Sequence, residues 1–240
     1  MPLQATSGAA SYDAFGGGVA AVPNYIEECF STTLYTGNGS TQTITNGIDL
    51  AGKGGLVWCK SRGSAIDGSH FLNDTARGVQ NYLRTNGTSA QQNRTDIGGL
   101  TAFNSNGFSL AYNSSGEIIN QNNITYVSWT FREQPKFFDI VTWTGNGSTQ
   151  TINHNLGVAP AVVIIKKTSA TSDWYYMHSM GASNCQQMSL NTTAASSTSS
   201  YNSGNVFSAR PTSTSLFLGS EGDTNGSGAT MVAYLFASNA

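Results

Sequence analysis

The nine residues Thr36-Gly37-Asn38-Gly39-Ser40-Thr41-Gln42-Thr43-Ile44 recur unchanged as Thr144-Gly145-Asn146-Gly147-Ser148-Thr149-Gln150-Thr151-Ile152, 108 positions later. Identity of that length at a fixed offset is the mark of a tandem domain repeat. The phrase also carries local structure. Asn and Gly accept positive φ cheaply, which suits a tight turn, and Thr and Ile favour strands. Each copy is therefore expected to open with strand, tight turn, strand, as a hairpin. A chain of 240 residues holds two domains of about 100–150 residues, each able to bury a core.

The repeat aligns the rest of the chain. Leu56-Val57-Trp58-Cys59-Lys60, an apolar run expected to be buried on both faces, answers to Val162-Val163-Ile164-Ile165-Lys166. His70–Asn73 is set against Tyr175–His178, Asn81–Leu83 against Met188–Asn191, and Phe108–Leu110 against Leu216–Leu218. Each copy closes on a strand in which Val127, Trp129 and Phe131 match Val232, Tyr234 and Phe236. Alternate residues share one face of a strand, so these six are expected to enter their own domain's core. The expected fold is all-β: two similar, jelly-roll-like β-sandwiches preceded by an extended N-terminal arm. The boundaries are 1–29 for the arm, 30–133 and 138–240 for the repeats, and 134–137 for a proline-stiffened linker that keeps the domains close. Ala194–Ser203 is expected to be a surface loop.

Charged residues make up 10% of the chain and the net charge is −2, with no basic cluster. Phosphate-driven nucleic-acid binding is disfavoured by that balance. No apolar run approaches the ~20 residues of a membrane helix, and the N-terminus lacks the basic and apolar regions of a signal peptide. Cys29, Cys59 and Cys185 are expected to stay free.

Catalytic motifs are sparse. Asp67 with Asp74, or Asp139 with Asp173, could bring two carboxylates together, but turn and cap roles account for such residues. His70, His154 and His178 lack zinc-ligand spacing, and a Cys185–His178 dyad is not specified by the sequence. His154 sits at a turn position that Asn46 holds in the first copy. The sequons at Asn38, Asn86, Asn113, Asn146 and Asn191 follow from composition. No cofactor and no metal are expected. The candidate ligand contacts are Asp173, Trp174, Tyr175 and His178, since aromatics beside a carboxylate can stack on a sugar; the competing reading sends alternate aromatics of that stretch into the core. In the arm, Tyr12, Phe15, Tyr25 and Ile26 are candidate particle-docking anchors.

Tyr35–Trp58, Phe71-Leu72-Asn73-Asp74-Thr75-Ala76-Arg77-Gly78, and Thr125–Phe131 followed by Pro135–Asp139 resemble virion proteins of marine tailed bacteriophages. There a domain of this type stands near a laminin-G or concanavalin-like sandwich in tail-fibre-type proteins. The likeness covers residues 30–240 and brings no catalytic residues with it. It implies a non-enzymatic virion surface protein, a tail-fibre or tail-appendage component attached by its arm. The implied partners are other virion proteins, copies of itself and a host-surface glycan, without nucleic acid or membrane. Without a heptad or β-helical stalk, a capsid decoration or cement protein stands as the alternative. A carbohydrate-binding module or polysaccharide depolymerase stands further off.

Overall fold

A computed structural model describes residues 25–63, 68–94, 98–112, 118–201 and 205–238. Among them are eighteen strands and three single-turn helices. The first half holds α1 (Ile26–Cys29), β1 (Phe30–Thr36), β2 (Gln42–Thr45), α2 (Leu50–Lys53), β3 (Gly55–Ser61), β4 (His70–Asp74), β5 (Asn81–Arg84), β6 (Gln92–Asn93), β7 (Gly99–Asn104), β8 (Gly107–Ala111) and β9 (Thr125–Arg132). The second holds β10 (Phe138–Thr144), β11 (Gln150–Asn153), β12 (Pro160–Lys167), β13 (Trp174–Ser179), β14 (Asn184–Ser189), β15 (Ser197–Ser200), β16 (Phe207–Ala209), β17 (Ser215–Leu218), α3 (Gly222–Asn225) and β18 (Thr230–Ala237).

Each half pairs a six-stranded antiparallel sheet with a three-stranded one. The orders are β1-β9-β3-β4-β5-β6 and β2-β8-β7, then β10-β18-β12-β13-β14-β15 and β11-β17-β16. Adding nine to each strand number of the first pair of sheets gives the second pair. The halves are thus similar sandwiches, as the repeat requires. Ala194–Ser203 departs from the loop expectation, because Ser197–Ser200 pairs with β14 as an edge strand. The alignment of β4 with β13 also shifts by one. Leu72 and Tyr176 are the equivalent residues, facing Trp58 and Ile164 respectively.

The repeated phrase is not a hairpin. β1 and β2 belong to different sheets, so Thr36–Ile44 carries the chain around the corner of the sandwich, and Thr144–Ile152 does the same. The identity of the two phrases follows from how that corner closes. Gly37 N–H donates to the Ile124 carbonyl and Gly145 N–H to that of Ala229, both at 2.8 Å. A Cβ on Gly37 would lie 2.2 Å from the Gln121 oxygen, and one on Gly145 2.3 Å from the Gly226 oxygen. Gly39 and Gly147 have φ of +65° and +71°, the region that suits glycine. Asn38 and Asn146 each accept from the backbone N–H two residues on, at 2.9 and 2.8 Å. A buried asparagine then locks each loop: Asn120 donates to the Ser40 carbonyl at 2.7 Å and Asn225 to that of Ser148 at 2.6 Å.

Each sandwich has its own core between large and small sheet. The first is built on residues such as Val57, Cys59, Phe71, Phe108 and Tyr126, the second on Val163, Ile165, Met177, Leu216, Met231 and Leu235. A third core lies between the two large sheets. Leu56, Leu72 and Leu83 meet Phe138, Ile140, Trp174, Val232 and Tyr234 there. The expected faces of the closing strands are therefore reversed. Phe131, Val232, Tyr234 and Phe236 point at the other sandwich, while Tyr126, Met231, Ala233 and Leu235 enter their own core. Both faces of β18 are apolar, and β9 buries Ser128 and Thr130 beside Tyr126 on its inner face, so the alternation alone did not say which core each face served.

Candidate functional site

The joint between the large sheets concentrates the buried polar chemistry of the chain. At the linker end, Phe131, Phe137, Phe138 and Phe236 form an aromatic cluster with centroid distances of 5.0–6.4 Å. Such rings add about 0.5–1.5 kcal/mol per pair beyond their buried area. Behind them lies an ion pair. Arg77 Nε donates to Asp74 Oδ2 at 2.7 Å, and the Tyr234 hydroxyl from the second sandwich donates to the same oxygen at 2.7 Å. Asp74 is fully buried and Tyr234 nearly so. Burial first, and then the Asp74 carboxylate, hold the Tyr234 phenol well above its usual range, with Arg77 opposing. Gln91 and the Leu72 carbonyl take further guanidinium hydrogens. Removing one member of such a group strands a buried charge, which costs about 3–5 kcal/mol.

A second set of bonds joins loop to loop. Gln91 N–H donates to the Thr168 carbonyl and Ser172 N–H to that of Thr88, both at 2.9 Å. Lys166, wholly buried, donates from Nζ to the carbonyls of Thr88, Lys167 and Ser172 at 3.1, 3.1 and 2.8 Å. Burial lowers it to about 8. Trp174 Nε1 donates to the carbonyls of Gly87 and Arg84 at 3.1 and 3.4 Å.

Beside the linker, Glu133 and Asp139 share a hydrogen bond, and the Thr75 hydroxyl donates to Glu133 at 3.4 Å. Asp139 spends its oxygens on the backbone N–H groups of Ile140 and Asn155, at 3.0 and 2.6 Å, so the shared proton comes from Glu133. Burial, then the Asp139 charge, raise Glu133 to about 7. A carboxyl pair of this kind can relay a proton, yet neither residue lines the two grooves that open at the joint. The neighbouring His154 is a turn residue. Its Nδ1 accepts from Leu156 N–H at 3.3 Å, as Asn46 Oδ1 accepts from Ile48 N–H at 3.1 Å in the first copy.

The sequence-derived candidates do not come together. Trp174 is buried in the joint. Tyr175 lies on the opposite strand face, packed on the second core. His178 is exposed, and Asp173 accepts from Asn191, whose own side chain accepts the Trp174 N–H. That stretch therefore serves to turn the chain and seal the joint. Asp139 pairs with Glu133 rather than with Asp173, while Asp67 lies outside the described residues. Tyr25, just before α1, and Ile26, its first residue, are exposed, at 52% and 57%; Tyr12 and Phe15 lie outside the described residues. α1 itself belongs to the folded body, since Cys29 is buried and Arg132 reaches its sulfur at 3.5 Å. The joint was missed by sequence reasoning because its members are spread from Leu56 to Phe236. The one available signal was that both faces of the second closing strand, β18, are apolar, one face more than a single sandwich needs.

Among the described residues no cluster of three or more His, Cys, Asp or Glu side chains could hold a metal ion, and no helix is long and apolar enough to cross a membrane. The three cysteines are buried free thiols. No curated protein and no solved structure matches the chain. One family profile does, described as a domain of unknown function, DUF7483, and it covers residues 27–240, from the second residue of α1 through both sandwiches and the joint. The chain belongs to the DUF7483 family.

Proposed function

We propose that this chain is a non-enzymatic structural protein of a bacteriophage virion surface, a tail-fibre or tail-appendage component held by its N-terminal segment and exposed to the host surface. The observation that carries the reading is the joint. Two sandwiches are fused face to face through a third apolar core, a buried Asp74–Arg77–Tyr234 group and a hydrogen-bonded loop pair. That is the construction of a stiff block, which suits a part that must hold its position under load. The resemblance of residues 30–240 to marine phage virion proteins supports the same reading. So does the uncharged edge strand Phe30–Thr36, on which Leu34 is 61% exposed. Edges left without charge invite pairing with another chain, as a multimeric particle component would use.

A capsid decoration protein is the second reading, favoured by the compactness of the block, which has no extended stalk among the described residues. Gold-labelled antibody to the chain, applied to purified particles, separates the two. Label confined to tails supports the first reading, label spread over heads supports the second, and particles free of label sink both. The non-enzymatic part is tested by incubating the purified chain with host polysaccharide. Release of reducing sugar that disappears in Glu133→Gln or Asp139→Asn would overturn it.

A further inference from the structure

The four sheets have eight edge strands, and among the described residues seven of them are poor templates for a new strand. β2, β6, β11, β15 and β16 have four residues or fewer. β7 is interrupted by a register shift between Leu100 and Ala102. β10 is as long as β1, but its outer side is guarded. Alternate residues of an antiparallel edge strand turn their backbone groups away from the neighbour. Gly145 N–H donates to the Ala229 carbonyl in register with the β10–β18 ladder, so Phe138, Ile140 and Thr142 are the outward residues. Gln134 engages both backbone groups of Phe138, and the Asp139 carboxylate takes the Ile140 N–H.

β1 is open by the same reasoning. Gly37 N–H donates to the Ile124 carbonyl in register with the β1–β9 ladder, which turns the backbone of Phe30, Thr32, Leu34 and Thr36 outward. Phe30 N–H is spent on the Ile26 carbonyl and the Thr36 carbonyl on Gln42. Thr32 and Leu34 present their N–H and C=O groups to the outside. The strand has no charge, proline or bulge, the devices that keep edges apart. Of the six exposed large hydrophobic side chains among the described residues, Tyr25, Ile26 and Leu34 lie on or just before it. Charge decides what fits there. α1 sets the exposed Glu27 and Glu28 at the Phe30 end, and since Glu28 lies 4.0 Å from Arg132 of its own chain, Glu27 is left for a partner. At the Thr36 end stands the exposed Arg62, whose N–H donates to the carbonyl of Thr125, the residue opposite Thr36. An edge with an acid at one end and a base at the other matches itself turned end for end, the relation that a two-fold dimer requires. We propose that β1 is a homodimer edge, pairing antiparallel with β1 of a second copy so that two six-stranded sheets become one of twelve. The inference does not depend on the virion reading, and it is measured in free solution, so its failure leaves the result of labelling particles untouched.

The test is sedimentation of the full chain over a range of concentrations. A reversible dimer is expected, with a Kd on the order of 10 μM, as suits a small interface. Leu34→Lys and Thr32→Pro should each weaken it at least ~10-fold, since edge lysines and prolines block pairing. Both residues are exposed, and the Thr32 N–H points away from β9, so neither change removes a bond of the fold. Thr142→Lys, at the equivalent place on β10, should leave the dimer unchanged. Arg62→Glu should weaken it several-fold, and adding Glu27→Arg should restore it. Amide hydrogen exchange then separates a second copy from other occupants of the edge. Protection of the Thr32 and Leu34 N–H groups that rises with concentration supports the proposal. Protection already complete at the lowest concentration would place residues 1–24 of the same chain on the edge and overturn it. So would the absence of self-association up to ~20 times that Kd, a dimer unmoved by Leu34→Lys and Thr32→Pro, or no rescue of Arg62→Glu.

Discussion

Trp129 and Tyr234 hold the same place in the two copies, one opposite Trp58 and the other opposite Ile164. Their surroundings differ. Trp129 is only partly buried, whereas Tyr234 is sealed in the joint and hydrogen-bonded to Asp74. Lys60 and Lys166 repeat the contrast. Lys60 is partly exposed, and its equivalent Lys166 is wholly buried among three carbonyls. The corner loops do the opposite and repeat the bonds of Gly37, Asn38 and Ser40 at Gly145, Asn146 and Ser148, with one addition, from Asn225 to the Gly219 carbonyl. What closes each sandwich on itself has been kept in both copies. What faces the other copy has diverged, because the joint is asymmetric: each sandwich presents the matching sheet, but the two surfaces must complement rather than copy one another. The repeat is thus two domains by topology and one body by packing.

The sharpest way to break that comparison is to truncate its two aromatics. Tyr234→Ala should cost about 3–5 kcal/mol, as large-to-small changes at buried aromatic sites do, with part of the loss coming from the stranded Asp74. Trp129→Ala, at the equivalent position, should cost about 1–2 kcal/mol, because its ring is only partly removed from water. Chemical denaturation of both variants measures the difference. Equal losses would mean that the two copies are energetically alike at this position and that the joint adds nothing there.

The corner loops come closer to equality. Asn120→Ala and Asn225→Ala each remove the side-chain donor to the carbonyl of Ser40 or Ser148, at a cost of about 0.5–1.5 kcal/mol. Asn225→Ala also strands the buried Gly219 carbonyl, so its loss should be the larger by about 1 kcal/mol. Equal losses in denaturant melts would show that the Gly219 bond adds nothing.

The last effect concerns the linker. Glu133 lies at about 7 in the folded chain against an ordinary 4.5, so the folded state holds its proton more tightly than the unfolded state. That stabilisation is fully present below about pH 4.5 and is lost as pH rises through 7. Asp139, Asp74 and His154 face the same region, and burial moves His154 downward, which gives the opposite slope below its ordinary 6.5. The difference between wild type and Glu133→Gln isolates the carboxyl. Wild type should lose about 1–2 kcal/mol relative to the variant between pH 5 and 8, an amount reduced by solvent screening at this half-buried site. Urea melts at several pH values check it, and a pH-independent difference would show that the proton is not shared.

The sandwiches were legible in the sequence because each is specified locally. The unchanged nine-residue phrase, the strand runs and the match of Phe108–Leu110 with Leu216–Leu218 all survive in the sheet order. Even the match of Cys59 with Ile165 holds, both residues lying in the core of their own sandwich. The joint was not legible because it is written in residues that also satisfy a simpler account. Val232, Tyr234 and Phe236 have strand periodicity whichever way they face, and Trp174 looks like a ligand platform until Gly87 and Arg84 are seen to hold its N–H. Glu133 gave no signal of its own, because a carboxylate at the end of a strand is ordinary until Asp139 folds against it.

The placing of β9 and β18 within their sheets sets the order in which the chain can become stable. β9 lies between β1 and β3, and β18 between β10 and β12, although each is the last strand of its own sandwich in sequence. Neither large sheet can zip up until its final strand is available. Pairings that span so much chain fold slowly, and a nascent chain holding β10 and β12 apart keeps their apolar faces open to misassociation. Residues 230–237 therefore act as a keystone in time as well as in space. A chain interrupted before Thr230 loses the strand that completes the second sheet and, with Val232, Tyr234 and Phe236, the surface on which the first sandwich rests.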